Sequence, residues 1–195
     1  MEKNTALILI DIQKAFDDID YWGGNRNNPD AEENAGKILD AWRQYKMPVF
    51  HVKHCSINPY SPLSERNPGN EIKDIVRPVG NEPVIKKNVN SAFIGTNLKQ
   101  MLDEHGIHSV VVLGLTTDHC VSTTVRMAAN YHYNTFIVAD AIATFDKTGV
   151  RGEKFDAELI HQTALASLKD EFAVVITTGE LLNRIRELNG SVLLA

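Results

Sequence analysis

The strongest constraint on this chain is that its short apolar runs are continuous rather than alternating. A strand with one face in water alternates apolar and polar residues, whereas a strand covered on both faces is apolar throughout. Amphipathic helical stretches lie between the runs, such as the one that places Ile38, Leu39 and Trp42 on one face. We therefore predict an α/β fold, a three-layer Rossmann-like open and mainly parallel sheet with helices on both faces. The predicted strands are residues 6–10, 49–52, 84–85, 110–113, 136–139 and 173–176.

Length and charge narrow the class of protein further. No linker or repeat divides the 195 residues, so we expect one domain over residues 1–195. The net charge of −5 argues against nucleic-acid binding. The first apolar run is short and ends at Asp11, so it predicts neither a signal peptide nor a membrane span. With only Cys55 and Cys120 as cysteines, reduced thiols and a cytoplasmic location are expected.

The residues that follow each predicted strand are the first candidates for a functional site. In open parallel sheets, ligands bind beyond the carboxyl ends of the strands. The segment from His54 to Glu82 is also long and rich in Pro, Asn and Ser, which is typical of a binding loop or lid. The strand-end candidates are Asp11, residues 51–54, residues 86–87, residues 114–120 and Asp140.

Cys120 is the candidate nucleophile. It follows a predicted buried strand and a short turn, and it is predicted to open a helix. The partial positive charge of a helix N-terminus favours thiolate over thiol, and its N–H groups are suited to hold an oxyanion. A buried free cysteine is equally common as a small apolar side chain, so its position alone leaves both interpretations open.

Asp11 and Lys87 are the candidate partners of this thiol. Taken singly, an aspartate at a strand end is usually a cap or an ion pair, and a lysine is usually a solvated charge. An acid, a lysine and a thiol at three strand ends together predict a Cys–Asp–Lys site. The carboxylate would take the thiol proton, and the ammonium would favour both anions.

Two competing kinds of site are less favoured. His119, Cys120 and Arg126 fit the HCx5R pattern of cysteine phosphatases, but the intervening residues contain no glycine to curve around a phosphate. His51 and His54 are close in sequence, yet residues three apart on a strand point to opposite faces. We therefore expect a site without a metal or other cofactor.

Three separate motifs, in order, resemble the isochorismatase-like cysteine hydrolases. This family includes nicotinamidases, N-carbamoylsarcosine amidase and ureidoacrylate hydrolases, and the resemblance spans nearly the whole chain. The motifs are LILIDIQ at 7–13, KNVNSAFIGT at 87–96 and GLTTDHCV at 114–121, followed by Asp140 and Ala141.

The resemblance implies roles for individual residues. Asp11 corresponds to the family's general base, Lys87 to its lysine and Cys120 to its nucleophile. It also implies a cis peptide bond between Leu115 and Thr116, with the N–H groups of Thr116 and Cys120 forming an oxyanion hole. Residues 51–55 correspond to the Asp-x-His metal motif of the nicotinamidases but contain no aspartate. This difference argues against zinc as a bound metal and against nicotinamide as the substrate.

The predicted activity is hydrolysis of a C–N bond in a small amide, carbamoyl or ureido compound through a Cys thioester. An isochorismatase-type enol ether hydrolase and a catalytically idle binding member of the fold are the alternatives. Phe16, Trp22 and Tyr60 are candidate walls of a substrate pocket, or else core or interface residues. We expect a small-molecule substrate and a homodimer or higher homo-oligomer.

Overall fold

The computed structural model describes residues 1–190, and a parallel β-sheet forms its centre. The expected domain over 1–195 includes residues 191–195, which lie outside the described part. The strands are β1 (Thr5–Ile10), β2 (Val49–His54), β3 (Val84–Lys87), β4 (Ser109–Leu115), β5 (Asn134–Ala143), β6 (Lys147–Thr148), β7 (Lys154–Phe155) and β8 (Val174–Ile176).

Six of these strands form the sheet, in the order β3-β2-β1-β4-β5-β8, and each neighbouring pair is parallel. Each of the six predicted apolar runs coincides with one of them, so the predicted sheet is confirmed. Strands β1 and β4 at the centre are buried along their whole length. The remaining two strands, β6 and β7, form a separate antiparallel hairpin.

Helices cover both faces of this sheet, as predicted. Helix α2 contacts α6, whereas α4 contacts α5, so the helices form two layers. None of the described helices is long and apolar enough to cross a membrane. The α-helices are α1 (Ile19–Trp22), α2 (Ala31–Gln44), α3 (Leu98–Glu104), α4 (Ser122–Asn130), α5 (Ala157–Leu168) and α6 (Thr178–Gly190).

The close packing of β1 against β4 requires a glycine at position 114. Gly114 has a φ of 123°, a region that favours glycine, and it lies at an irregularity in the pairing of β4 with β5. A Cβ atom there would come within 2.0 Å of the Ile10 carbonyl oxygen. Glycine therefore lets the end of β4 approach the end of β1, next to Asp11.

Candidate active site

Asp11 and Lys87 form a buried ion pair at the carboxyl edge of the sheet. Asp11 follows β1 directly, and Lys87 is the last residue of β3. Lys87 Nζ lies 2.6 Å from Asp11 Oδ2, and the two side chains are 0% and 1% exposed. Each charge depends on the other, because an unpaired ion is costly to bury. Asp11 Oδ1 is also buried and has no hydrogen-bond partner among residues 1–190, so it is available to accept a proton.

The Cys120 thiol lies against this pair. A π-helical turn over Thr117–Val121 joins β4 to α4, and Cys120 lies within it, so the residue precedes the α-helix rather than opening it. Lys87 Nζ lies 3.3 Å from Cys120 Sγ, and the thiol donates to Asn90 Oδ1 at 3.7 Å. The fold therefore brings together the three residues that the sequence singled out, from three separate strand ends.

The surroundings of Cys120 favour the protonated thiol. Burial raises the pKa of Cys120 to about 12, and the Asp11 carboxylate contributes to this rise. The Lys87 ammonium acts in the opposite direction but does not compensate. Desolvation and the neighbouring carboxylate therefore oppose the thiolate that a helix N-terminus favours.

The turn before the cysteine has the conformation that the resemblance implied. The peptide bond between Leu115 and Thr116 is cis. Thr116 and Cys120 both line one cavity, so the two residues expected to form an oxyanion hole border the same space.

This cavity, of about 260 Å³, extends from Cys120 to an aromatic wall. Phe16 and Trp22 form the wall, with ring centroids 4.6 Å apart, and Trp22 Nε1 donates to the Ala15 carbonyl at 2.7 Å. Tyr60, the third candidate, does not line the cavity and is 90% exposed.

The long loop after β2 reaches the cavity through other residues than Tyr60. Tyr60 N donates to Asn58 Oδ1 within a local turn, which leaves the ring in solvent. Ser61 and Leu63 line the cavity instead. Asn70, buried below the loop, donates to the carbonyls of His54 and Leu63 at 2.7 Å each and so ties the loop to the end of β2.

The two histidines of β2 have different surroundings. His51 is buried away from the cavity, where Nε2 lies 2.9 Å from Glu82 Oε2. His54 lines the cavity, and its Nδ1 lies 3.2 Å from Lys87 Nζ. Burial lowers the pKa of His54, and the charge of Lys87 lowers it further, so the ring is neutral at neutral pH.

Asp11, His54 and Cys120 also form a group that resembles a metal site. Their possible ligand atoms all lie within 4.8 Å of one another. Lys87 Nζ, however, contacts all three side chains. The ammonium group already supplies the positive charge that a metal ion would bring to these ligands, so the donor set does not fit a resident metal.

The sequence pointed less clearly to three residues that support or line the site. Gln13 accepts from His54 N at 2.8 Å and donates to the His54 carbonyl at 3.0 Å, so it fixes the end of β2. Asn90 and Lys147 line the cavity. Gln13 and Asn90 lie within motifs quoted above, which was a usable signal, whereas nothing in the sequence marked Lys147.

Asp140, a strand-end candidate, and Arg126, the arginine of the HCx5R pattern, have structural roles. Asp140 lies inside β5 rather than after it, and its Oδ1 accepts from the N–H and hydroxyl of Thr178 at the start of α6. Arg126 lies within α4, donates to Ser167 Oγ at 2.6 Å and does not line the cavity. The HCx5R pattern is therefore part of a helix and not a phosphate loop.

The isochorismatase domain model matches residues 5–180 of this chain. The chain is 47% identical over 183 residues to the isochorismatase family protein YrdC of Bacillus subtilis, covering 94% of this chain and 97% of that protein. It is 28% identical to nicotinamidase 3 of Arabidopsis thaliana, covering 92% and 87%. A crystal structure of an isochorismatase-family protein from Chromobacterium violaceum superposes with a TM-score of 0.91 at 38% identity, covering 95% of each chain. On this evidence the chain belongs to the isochorismatase family of hydrolases.

Proposed function

We propose that this protein hydrolyses a C–N bond of a small amide, carbamoyl or ureido compound, with Cys120 as nucleophile, Asp11 as general base and Lys87 as the stabilising cation. The observation that carries the proposal is the convergence of these groups: Lys87 Nζ contacts both Asp11 Oδ2 and Cys120 Sγ, and Asp11 Oδ1 has no hydrogen-bond partner among residues 1–190. The likeness to a nicotinamidase supports amide chemistry, although the chain lacks an aspartate in the residues that correspond to the nicotinamidase metal motif.

In the first step, Asp11 accepts the S–H proton of Cys120 as the sulfur attacks the carbonyl carbon. A C–S bond forms, and the carbonyl oxygen becomes an oxyanion that the N–H groups of Thr116 and Cys120 stabilise. The Lys87 ammonium lies 3.3 Å from the sulfur and stabilises the developing thiolate. When the tetrahedral species collapses, the C–N bond breaks, and Asp11 returns its proton to the leaving nitrogen.

In the second step, water hydrolyses the thioester. Asp11 is again an ionised carboxylate and takes a proton from the water as its oxygen attacks the carbonyl carbon. The C–S bond then breaks, the acid product forms, and Asp11 gives its proton back to the sulfur. Protons and electrons balance over the cycle without a metal or a redox partner, so the proposed mechanism uses none.

The experiment is a screen of the purified protein against amides and ureides for ammonia release, followed by a test of Cys120→Ala. The variant should fold like the wild type and lose turnover, because the nucleophile is absent. Cys55→Ala is the matched control and should retain turnover, since Cys55 does not line the cavity. Mass spectrometry should detect the acyl adduct on the Cys120 peptide after acid quenching.

Turnover above a few per cent in Cys120→Ala would contradict the covalent mechanism. If the screen found hydrolysis of an enol ether with Cys120 dispensable, the isochorismatase-type alternative would replace this proposal. Specific binding without turnover of any compound would indicate the catalytically idle alternative.

A further inference from the structure

We propose that Lys147 binds an anionic group of the substrate at the mouth of the cavity, so that the preferred substrates are amides or ureides that carry a carboxylate. The inference deepens the proposed function and rests on it. It starts from Lys147 because this is the one lysine within residues 1–190 that lines the cavity.

The backbone around Lys147 is held firmly in place. Lys147 begins the hairpin strand β6, directly after Asp146. Asp146 Oδ1 accepts from Ala157 N at 2.8 Å and from Asn25 Nδ2 at 3.0 Å. Gly23 packs so tightly against Asp146 that a Cβ at position 23 would lie 2.4 Å from the Asp146 carbonyl oxygen. The lysine therefore extends from an anchored point and not from a free loop.

The ammonium of Lys147 is only loosely paired. Its Nζ lies 3.4 Å from Asp118 Oδ2, and His119 Nε2 lies 3.4 Å from the same oxygen. The other oxygen, Asp118 Oδ1, accepts from the Thr144 hydroxyl at 2.6 Å. Asp118 does not line the cavity, whereas His119 and Lys147 do, so the cavity lining includes the two nitrogen groups but not the carboxylate that they contact.

The Lys87 cation beside Cys120 is already neutralised by Asp11. Lys87 Nζ is 2.6 Å from Asp11 Oδ2, a closer contact than that of Lys147 with Asp118. A substrate anion near Lys87 would also face the Asp11 carboxylate, which repels it. Lys147 keeps donor capacity for an incoming carboxylate, so the anion is expected at the mouth and the scissile bond at Cys120.

The space available fits this arrangement. A neighbouring groove of about 450 Å³ shares Tyr21, Trp22 and Lys147 with the catalytic cavity. A substrate can therefore extend from Cys120 along the aromatic wall, with its far end beside Lys147. Lys154 lines only the outer groove, which makes it a matched control with the same charge on the same hairpin.

The test compares two thiol probes of similar shape in a Cys55→Ala background, so that only Cys120 reacts. The neutral probe is N-ethylmaleimide, and the anionic probe is 3-maleimidopropionate. The measured quantity is the ratio of the second-order rate constants for the two probes, normalised to the same ratio for glutathione. We expect the normalised ratio to favour the anionic probe by roughly two- to fivefold when Lys147 is present, the size of one partly exposed ion pair.

Lys147→Met should abolish this preference, whereas Lys154→Met should retain it. Lys147→Arg keeps the charge and should retain most of the preference, which excludes a general disturbance of the hairpin. An unchanged ratio in Lys147→Met, an equal loss in Lys154→Met, or no preference in the wild-type sequence would overturn the proposal. The probes require that Cys120 can be alkylated, but they require no amide substrate. This result is therefore independent of whether amide hydrolysis is found, and the Cys120→Ala assay is independent of Lys147.

Discussion

Replacing Lys87 by methionine should destabilise the fold by about 3–5 kcal/mol, because it leaves the Asp11 carboxylate buried without its cation. The pair distance is 2.6 Å, and neither side chain is more than 1% exposed. At that distance, and with an effective dielectric constant of about 20, the Coulomb attraction is about 6 kcal/mol. The cost of desolvating both ions opposes much of this attraction in the wild type. Methionine has a similar volume, so the loss reflects charge rather than a cavity.

A double-mutant cycle separates the pair from its surroundings. Asp11→Asn alone should also destabilise the fold, because it leaves the Lys87 ammonium buried without its anion. The double variant Lys87→Met/Asp11→Asn buries no unpaired charge and should cost at least about 2 kcal/mol less than the sum of the two single variants. Urea unfolding at neutral pH, followed by circular dichroism, gives each free energy of unfolding.

Lys86→Met is the matched control for this cycle. Lys86 precedes Lys87 in β3, but its side chain is 61% exposed, and it pairs with Glu65 at the surface. Its loss should cost less than about 1 kcal/mol. If Lys87→Met cost no more than Lys86→Met, or if the two single variants were additive, the buried ion pair would not be the stabilising unit described above.

The remaining predictions concern rate, metal dependence and acid stability. Asp11→Asn should lower the turnover number by roughly 10²–10⁴, the usual contribution of a general base, and an ammonia-release assay measures this; a loss below tenfold would contradict the base role. Exhaustive chelation should leave activity unchanged; activity restored only by zinc, manganese or iron would return His54 to consideration as a ligand. Burial raises the pKa of Glu82, but hydrogen bonds from Arg43, the Val79 N–H and His51 outweigh this and lower it from 4.5 to about 2. Folding therefore favours the ionised form of Glu82. Its contribution to the free energy of unfolding is complete above about pH 4.5 and is lost as the pH falls through about 2. Glu82→Gln should therefore reduce the fall in melting temperature between about pH 4.5 and pH 2. An unchanged fall would contradict the role of Glu82 in acid stability.

The sequence by itself determined the sheet and the strand ends. A strand that is apolar throughout must be buried on both faces. This property depends only on consecutive residues, so strands such as β1 and β4 could be predicted from the sequence. Parallel strands share one carboxyl edge, so Asp11, Lys87 and the turn before Cys120 were expected together. Helix α6 was not anticipated, because its buried residues Leu181 and Ile185 make only a short apolar stripe.

Only the tertiary structure decided the surroundings of each side chain. His51 and His54 lie three residues apart, yet one pairs with Glu82 and the other faces Lys87. The protonation state of Cys120 depends on burial and on a carboxylate more than a hundred positions away in sequence. Tyr60 points into solvent and Lys147 into the cavity because a local turn and an anchored hairpin orient them. Electrostatic and packing interactions act through space, so the surroundings of a side chain depend on residues that are distant in sequence. A local sequence pattern therefore does not predict these surroundings.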